Sequence, residues 1–513
     1  MTDGSPRTLA HLLRSVTGWR APAAVASLRV RRIVDDAREV QPGDLFVALR
    51  GHRADGHDFA DEAIRRGAAA MVVERGRVDP DDFPAIQVPD TRRALAQLAA
   101  AWYGEPARRL QLVGITGSFG KTGTLSMLHA ILVRAGLRAG IIGSDFIGLR
   151  LPDRHREPLS LTTPDPLELH RALARIAEEG GEICSMEVTS QGLVQNRVHG
   201  LEFALGIFTC IAPLEHRDYH GTFRRYIQAK SRFFDHLVPG AAFIFPAGDR
   251  VIRTLVEGRD VTPIRCGIGR SADVRMLRRD MRPEGTRMLL EIPRPLPKVN
   301  GGRVAPLCLP LEVRIPGRFN AKNAALAATA ALCLGASPAA VHDALATVRP
   351  PPRRLQLERI AGFHLLDDTA THPESLGALF EIIAGIEHRR LHLVAAIRGG
   401  RGAEFNRRYG EALAIWTRRQ PVHDLVATSS AEAVDEADRV RPAERDAFLG
   451  ELRRAGIPHL HRDRLADAVG LALDRTRPGD LLVLIGAQGM HEGAALVRGW
   501  VGQPPDRDRV RSQ

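Results

Sequence analysis

Short continuous apolar runs alternate along this chain with runs of helical spacing. Leu110, Leu112, Val113 and Ile115 form one apolar run and predict a buried strand. Leu125, Leu128, Leu132 and Ala135 follow at helical spacing and stop at Gly136, which predicts a helix. Earlier in the chain, residues 44–49 (DLFVAL) predict a strand, 59–66 a helix ended by Gly67, and 70–73 a further strand. Residues 183–188 read as a strand that places Glu187 near its end. Beyond residue 352, strands are expected at 363–366, 391–397, 424–428 and 480–485, separated by helical segments. This alternation predicts an α/β protein with mostly parallel, helix-covered sheets.

Turn and breaker residues divide the pattern. Tyr103-Gly104-Glu105-Pro106 reads as a linker, and Arg349-Pro350-Pro351-Pro352 cannot continue a helix. Three α/β domains are expected, over residues 1–105, 106–350 and 351–513. A chain of 513 residues is too long for one core, which agrees with this division.

Composition narrows the classes of function. Hydrophobic residues at 44% and charged residues at 26% are ordinary for a globular protein. No run of eighteen apolar residues occurs, and the N-terminus lacks a basic-then-apolar signal, so no membrane insertion is expected. The five cysteines are scattered without a Cys-x-x-Cys pair, which fits free thiols in a reducing cytoplasm. The formal charge of +12 comes from dispersed, mostly arginine positions, and aromatic residues make up only 5%. That combination favours a polyanionic small molecule over nucleic acid as partner.

The segment GITGSFGKTGT, from Gly114 to Thr124, carries the chemistry. A glycine-rich turn between strand and helix points N–H groups at a phosphate, and the helix N-terminus adds partial positive charge. Gly117, Ser118, Phe119, Gly120, Lys121, Thr122 and Gly123 are therefore expected to cradle a nucleoside triphosphate. Ile115 stands where the general P-loop pattern has its first glycine. Lys121 reaches the outer phosphates and the Thr122 hydroxyl reaches a bound Mg2+. Glu187, at the end of a neighbouring strand, is the candidate for a second metal contact.

Seven stretches then appear in order: RRIVDDAREVQPGDLFVALRGHRADGHDF, GITGSFGKTGT, LTTPDP, MEVTSQGLVQNRV, EHRDYHGTFRRYIQAK, IPGRFNAKNAALA and DDTATHPESL. Together they resemble the Mur ligases, in particular those that add the third residue to UDP-N-acetylmuramoyl-dipeptide. The resemblance covers almost the whole chain. It implies a UDP-substrate domain, a central ATPase and a C-terminal domain that closes over the incoming amino acid. It implies an ATP-dependent amide-forming ligase that works through an acyl phosphate, with a UDP-muramoyl-peptide-like substrate and a free amino acid as partners. By the same resemblance Lys230 is carbamylated and binds one of two Mg2+ ions, and His216 is a site residue. Thr162, Thr163, Thr189, Gln195 and Arg197 would contact the muramoyl substrate. Asn323 would read adenine, Arg354 and Asp368 would meet phosphate and ribose, and Arg407 would hold an α-carboxylate. A monomer is expected.

Several positions depart from the family pattern. Thr189-Ser190-Gln191 replaces Ser-Ser-His, and Asp36-Ala37-Arg38 replaces Asp-Ser-Arg. The Asp-Asn-Pro-Arg string of enzymes that take meso-diaminopimelate is absent, and Ala487-Gln488 stand where a lysine would be expected. A site built for a second amino-acid head rejects analogues that lack it, so a different amino acid is expected here. Two other readings stay open on the residues. One is a related ligase acting on a carboxylate outside the cell wall, as folylpolyglutamate and cyanophycin synthetases do. The other is a nucleotide-binding protein that has lost catalysis.

Overall fold

A computed structural model describes residues 6–51, 54–76, 83–144, 146–149, 161–212, 220–282 and 285–501. Three principal sheets organise these residues. The first has four parallel strands, Ile33–Val34, Leu45–Val47, Ala70–Glu74 and Ala85–Val88. The helix Thr91–Trp102 packs its apolar face on this sheet and starts at Asp90, whose carboxylate accepts from the N–H groups of Arg92 and Arg93.

The second sheet has ten strands. Its centre is parallel: Leu237–Pro246, Phe203–Phe208, Gln111–Thr116, Ile183–Glu187 and Ala139–Gly143 lie side by side in that order. From Gln111–Thr116 the chain first builds outward on one side, returns to fill the gap with Ile183–Glu187, then crosses to the other side. That reversal opens a crevice at the strand ends, where ligands of such sheets bind. The helices Lys121–Arg134 and Arg318–Cys333 cover one face, and Pro166–Glu178 covers the other. Every residue from 320 to 333 except the exposed Lys322 is buried, and the small alanines let this helix sit close to its neighbours.

The sheet also carries an extension not expected from the sequence pattern. Val274–Arg282, Gly285–Ile292 and Leu307–Val313 add antiparallel pairings at one edge. Gly285–Ile292 alternates inward and outward residues, as a strand with one solvated face does.

The third sheet runs Gln356–Ile360, Phe363–Asp368, Leu481–Ile485, Leu391–Ala396, Asp424–Thr428 and Leu460–Arg462. Only the first strand is antiparallel to its neighbour. Three helices, Pro373–Ile383, Ala403–Arg419 and Pro442–Arg454, pack on one face, and Leu465–Arg475 and Gly493–Val501 on the other.

Candidate active site

The glycine-rich turn leaves the end of the central strand Gln111–Thr116 and enters the helix that starts at Lys121. Gly117 has φ 143°, and a Cβ on it would overlap the Thr209 hydroxyl, so no other residue fits. Gly120 has φ 86°, and a Cβ there would lie 2.8 Å from both Phe319 Cζ and Asn323 Oδ1. The loop is fixed from the next strand: Thr209 Oγ1 donates to the Phe119 carbonyl at 2.6 Å, and Ser118 N donates to the Cys210 carbonyl at 2.9 Å. Ser118 Oγ is 2.8 Å from the Tyr226 hydroxyl and accepts from Ala212 N at 2.8 Å.

Two lysines converge on this turn. Lys121 Nζ donates to the carbonyls of Gly117 (2.9 Å) and Ser118 (3.0 Å). Lys230, on the helix Phe223–Ser231, is 1% exposed; its Nζ donates to the same Gly117 carbonyl at 2.8 Å and to Thr116 Oγ1 at 3.2 Å. The Tyr226 ring lies 5.6 Å from this ammonium. The structure therefore brings Lys121 and Lys230 together on one backbone oxygen.

Beside them, Glu187 ends its strand in register with Ile115. Thr122 Oγ1 lies 3.1 and 3.2 Å from the two Glu187 carboxylate oxygens, and Ser144 N donates to Oε1 at 3.0 Å. Among the described residues no group of three or more His, Cys, Asp or Glu side chains is arranged to hold a metal. One carboxylate and one hydroxyl are hard oxygen donors, and that set suits a Mg2+ whose remaining ligands are phosphate and water oxygens.

A hydroxyl network extends from Glu187 along the crevice. Thr163 Oγ1 donates to the Glu187 carbonyl at 3.0 Å, accepts from Thr189 N at 2.9 Å and lies 3.0 Å from Thr189 Oγ1. Thr162 Oγ1 accepts from Ser144 Oγ at 3.0 Å. Arg197 donates to the Thr163 carbonyl at 2.7 Å and to Gln195 Oε1 at 3.0 and 2.6 Å, and it approaches Asp165 at 3.2 Å. Thr162, Thr163, Thr189, Gln195 and Arg197 thus form one continuous polar wall. His216 lies outside the described residues. His220, four positions on, is buried with Nε2 3.0 Å from Ser190 Oγ, and its ring packs against Tyr226.

The third sheet presents Asp368 at the end of its strand. Its carboxylate accepts from Leu355 N (2.8 Å) and Ala370 N (2.7 Å). Burial pushes this carboxyl above its ordinary value, and the charge of Arg354 opposes that rise. The neighbouring arginine does more structural work: Arg353 donates to the Ala487 carbonyl at 2.7 Å, bonds the Gly486 carbonyl and pairs with Asp367 at 3.4 Å. Sequence reading singled out Arg354 and overlooked Arg353. The choice depends on φ values of 55° at Arg353 and 52° at Leu355, which no residue pattern announces.

Arg407 is engaged by acids of its own unit. Its guanidinium donates to Glu404 at 2.9 and 3.0 Å, lies 3.5 Å from Glu411 and 3.8 Å from Glu451, and so faces the helix Pro442–Arg454. Acids at three residues before and four after were present in the sequence and were the signal for this outcome.

Fold and site together define a three-part α/β nucleotide-handling protein with a P-loop at a sheet crevice. The comparisons place it more narrowly. The Mur ligase middle domain matches residues 115–331, the Mur ligase family catalytic domain 29–103, and the Mur ligase glutamate ligase domain 353–488. The chain belongs to the Mur ligase family. It is 32% identical over 470 residues, 88% of each chain, to the UDP-N-acetylmuramoyl-L-alanyl-D-glutamate–2,6-diaminopimelate ligase of Geobacillus thermodenitrificans. It is also 32% identical, over 92% of each chain, to the enzyme of that name from Brucella melitensis. Solved structures share the fold. One is the UDP-N-acetylmuramoylalanyl-D-glutamyl-2,6-diaminopimelate–D-alanyl-D-alanyl ligase of Acinetobacter baumannii (TM-score 0.66, 21% identity, 97% of this chain and 99% of that one). Another is the MurF ligase of Thermotoga maritima in complex with ADP (TM-score 0.60, 21% identity, 92% and 97%).

Proposed function

We infer that this protein is an ATP-dependent ligase that joins an amino acid to a UDP-N-acetylmuramoyl-peptide in peptidoglycan synthesis. The carrying observation is the convergence of Lys121, Lys230, Thr122 and Glu187 around one turn at the end of the central parallel strand. Amide formation from a carboxylate needs activation. The substrate carboxylate attacks the γ-phosphorus of ATP, the bond to ADP breaks and an acyl phosphate forms. The amino group of the incoming amino acid then attacks the acyl carbon, phosphate leaves and the amine loses a proton.

Each residue has a part in this scheme. Lys121 exchanges its two carbonyl partners for phosphate oxygens and stabilises the charge that develops in transfer. Thr122 and Glu187 would hold Mg2+, which when bound supplies positive charge to the β- and γ-phosphate oxygens. Carbamylation of Lys230 would turn a buried ammonium into a carboxylate able to hold a second ion. Asn323 and the Asp368–Arg354 pair would bind adenine, ribose and phosphate. The hydroxyl wall from Thr162 to Thr189, with Gln195 and Arg197, would receive the muramoyl substrate, Arg197 meeting an anionic oxygen through its planar fork. The three units would divide at residues 105 and 350, and the protein would act as a cytoplasmic monomer.

The substrate reading draws on the relatives, whose names specify UDP-N-acetylmuramoyl-L-alanyl-D-glutamate and 2,6-diaminopimelate. We keep the acceptor and not the amino acid, because the Asp-Asn-Pro-Arg string is missing from the stretch after Thr428. Two variants test the machinery. Lys121→Ala should leave the fold intact and lower kcat by roughly 10²–10³, the range for losing one donor to developing charge. Near-normal turnover of the folded variant would remove the P-loop from the mechanism. Lys230→Ala should be nearly inactive and recover part of its rate when short-chain carboxylates are added. Full activity without them would dismiss the carbamate.

A further inference from the structure

Phe119 sits inside the phosphate-binding turn, a place where an aromatic side chain contributes no donor to phosphate. Its backbone is pinned, with the carbonyl taking hydrogen bonds from Thr209 Oγ1 at 2.6 Å and Cys210 Sγ at 3.4 Å. Its ring points instead into a small aromatic set. The ring centroid lies 5.3 Å from that of Phe319, at the start of the helix Arg318–Cys333, with planes at 49°. It lies 6.0 Å from that of His372, with planes at 37°.

These partners come from two different sheets. Phe319 belongs to the helix that also carries Asn323 and presses on Gly120, so it supports the turn from below. His372 belongs to the third sheet's layer: it immediately precedes the helix Pro373–Ile383 and lies four residues after Asp368. Its position is locked by a local turn, in which Ser375 Oγ accepts from His372 N at 3.1 Å and donates to the His372 carbonyl at 2.9 Å. The ring itself is buried. Gly317 and Ile382 meet nearby, closing the seam between the two units on that side.

We propose that Phe119 is a positioning residue that couples the seating of the C-terminal unit to the geometry of the phosphate-binding turn, through its ring contact with His372. Two groups proposed to hold nucleotide, the turn and Asp368, stand on different units. In this arrangement the contact between Phe119 and His372 sets the distance between them, so that nucleotide can meet both at once. Offset aromatic contacts at these separations are attractive beyond their buried area, and Phe119 is anchored by its own backbone, so displacement of His372 is felt at the turn. The proposal rests on the nucleotide-binding reading above.

The test is a double-mutant cycle on ADP affinity in the full-length protein, with Phe119→Ala, His372→Ala and the double variant, measured by titration calorimetry. Each single variant should weaken ADP roughly fivefold, and the double should be no weaker than either single, because both remove one shared contact. Phe119→Tyr should keep wild-type affinity, since it retains the ring. In turnover, the alanine variants should raise KM for ATP more than they lower kcat. If the two losses multiply, or if either alanine variant binds ADP as tightly as wild type, the coupling is wrong while the nucleotide site stands. If wild type itself binds no ADP, the nucleotide reading fails and this inference fails with it.

Discussion

Asp367 shows what a single side chain does to this molecule. It is buried beside Arg353, its Oδ1 has no hydrogen-bond partner among the described residues, and burial lifts its carboxyl to about 6 against the pull of that arginine. Between about pH 4 and 6 the folded chain keeps a proton there that the unfolded chain has released. Stability from this group is therefore greatest below pH 4 and falls as pH rises through 6, by up to about 3 kcal/mol. Asp367→Asn should flatten that fall. Urea unfolding of both proteins at pH 4.5 and 7.5 measures it, and parallel profiles would show that the carboxyl is not held up by burial. At this scale the sequence was legible where chemistry follows directly from neighbours in the chain. Lys121, Thr122 and the glycines are read from one short motif. Glu187 is read from its place at a strand end, because parallel neighbours end together. The contacts of Arg353 and His220 were not legible, since they depend on a positive φ and on the packing of His220 against the helices Ser190–Val194 and Phe223–Ser231, which spacing alone does not encode.

Among the elements, the third sheet carries a brace at the end of its strands opposite the cleft. His392, buried at the start of its strand, has Nδ1 2.9 Å from Asp424 Oδ2 and Nε2 3.1 Å from Asp480 Oδ2. Arg475 holds Asp424 at 2.6 Å, and Arg477 N donates to Asp480 at 2.8 Å. Three adjacent strands are thereby tied at one edge. His392→Leu leaves the buried Asp480 and the partly buried Asp424 without their shared partner and should cost about 3 kcal/mol. Activity per folded molecule should be unchanged, because Asp368 lies at the far ends of the strands. Chemical denaturation together with specific activity checks both, and a stable but inactive variant would contradict this placement. Strands with continuous apolar runs were legible: residues 424–428 were expected and Asp424–Thr428 is found. The antiparallel extension from Val274 to Val313 was not, although TRMLLEI alternates as a half-solvated strand does. A pattern expected to alternate strand with helix hides a stretch of consecutive strands.

For the whole molecule, the P-loop stands where the second and third sheets meet, with the hydroxyl wall running away from it along the second. The three-unit α/β architecture was legible from the alternation of strand and helix patterns. The relative seating of the units was not, because it is decided by contacts such as Phe119 with His372 and Gly317 with Ile382, which join residues far apart in the chain. The same holds for the amino-acid end of the site, where Arg407 is paired with three glutamates and the Asp-Asn-Pro-Arg string is absent from the sequence. The most direct test is a paired assay of the full-length protein with ATP, Mg2+ and UDP-N-acetylmuramoyl-L-alanyl-D-glutamate. The twenty common amino acids and meso-diaminopimelate are offered together at equal concentration, with phosphate release and the amide product measured side by side. The account predicts one phosphate per amide formed, no release without the acceptor, and a product dominated by an amino acid other than meso-diaminopimelate. Phosphate release that needs neither acceptor nor amino acid, or the absence of any amide product, would contradict the ligase assignment, and a product dominated by diaminopimelate would overturn the reading of the C-terminal unit.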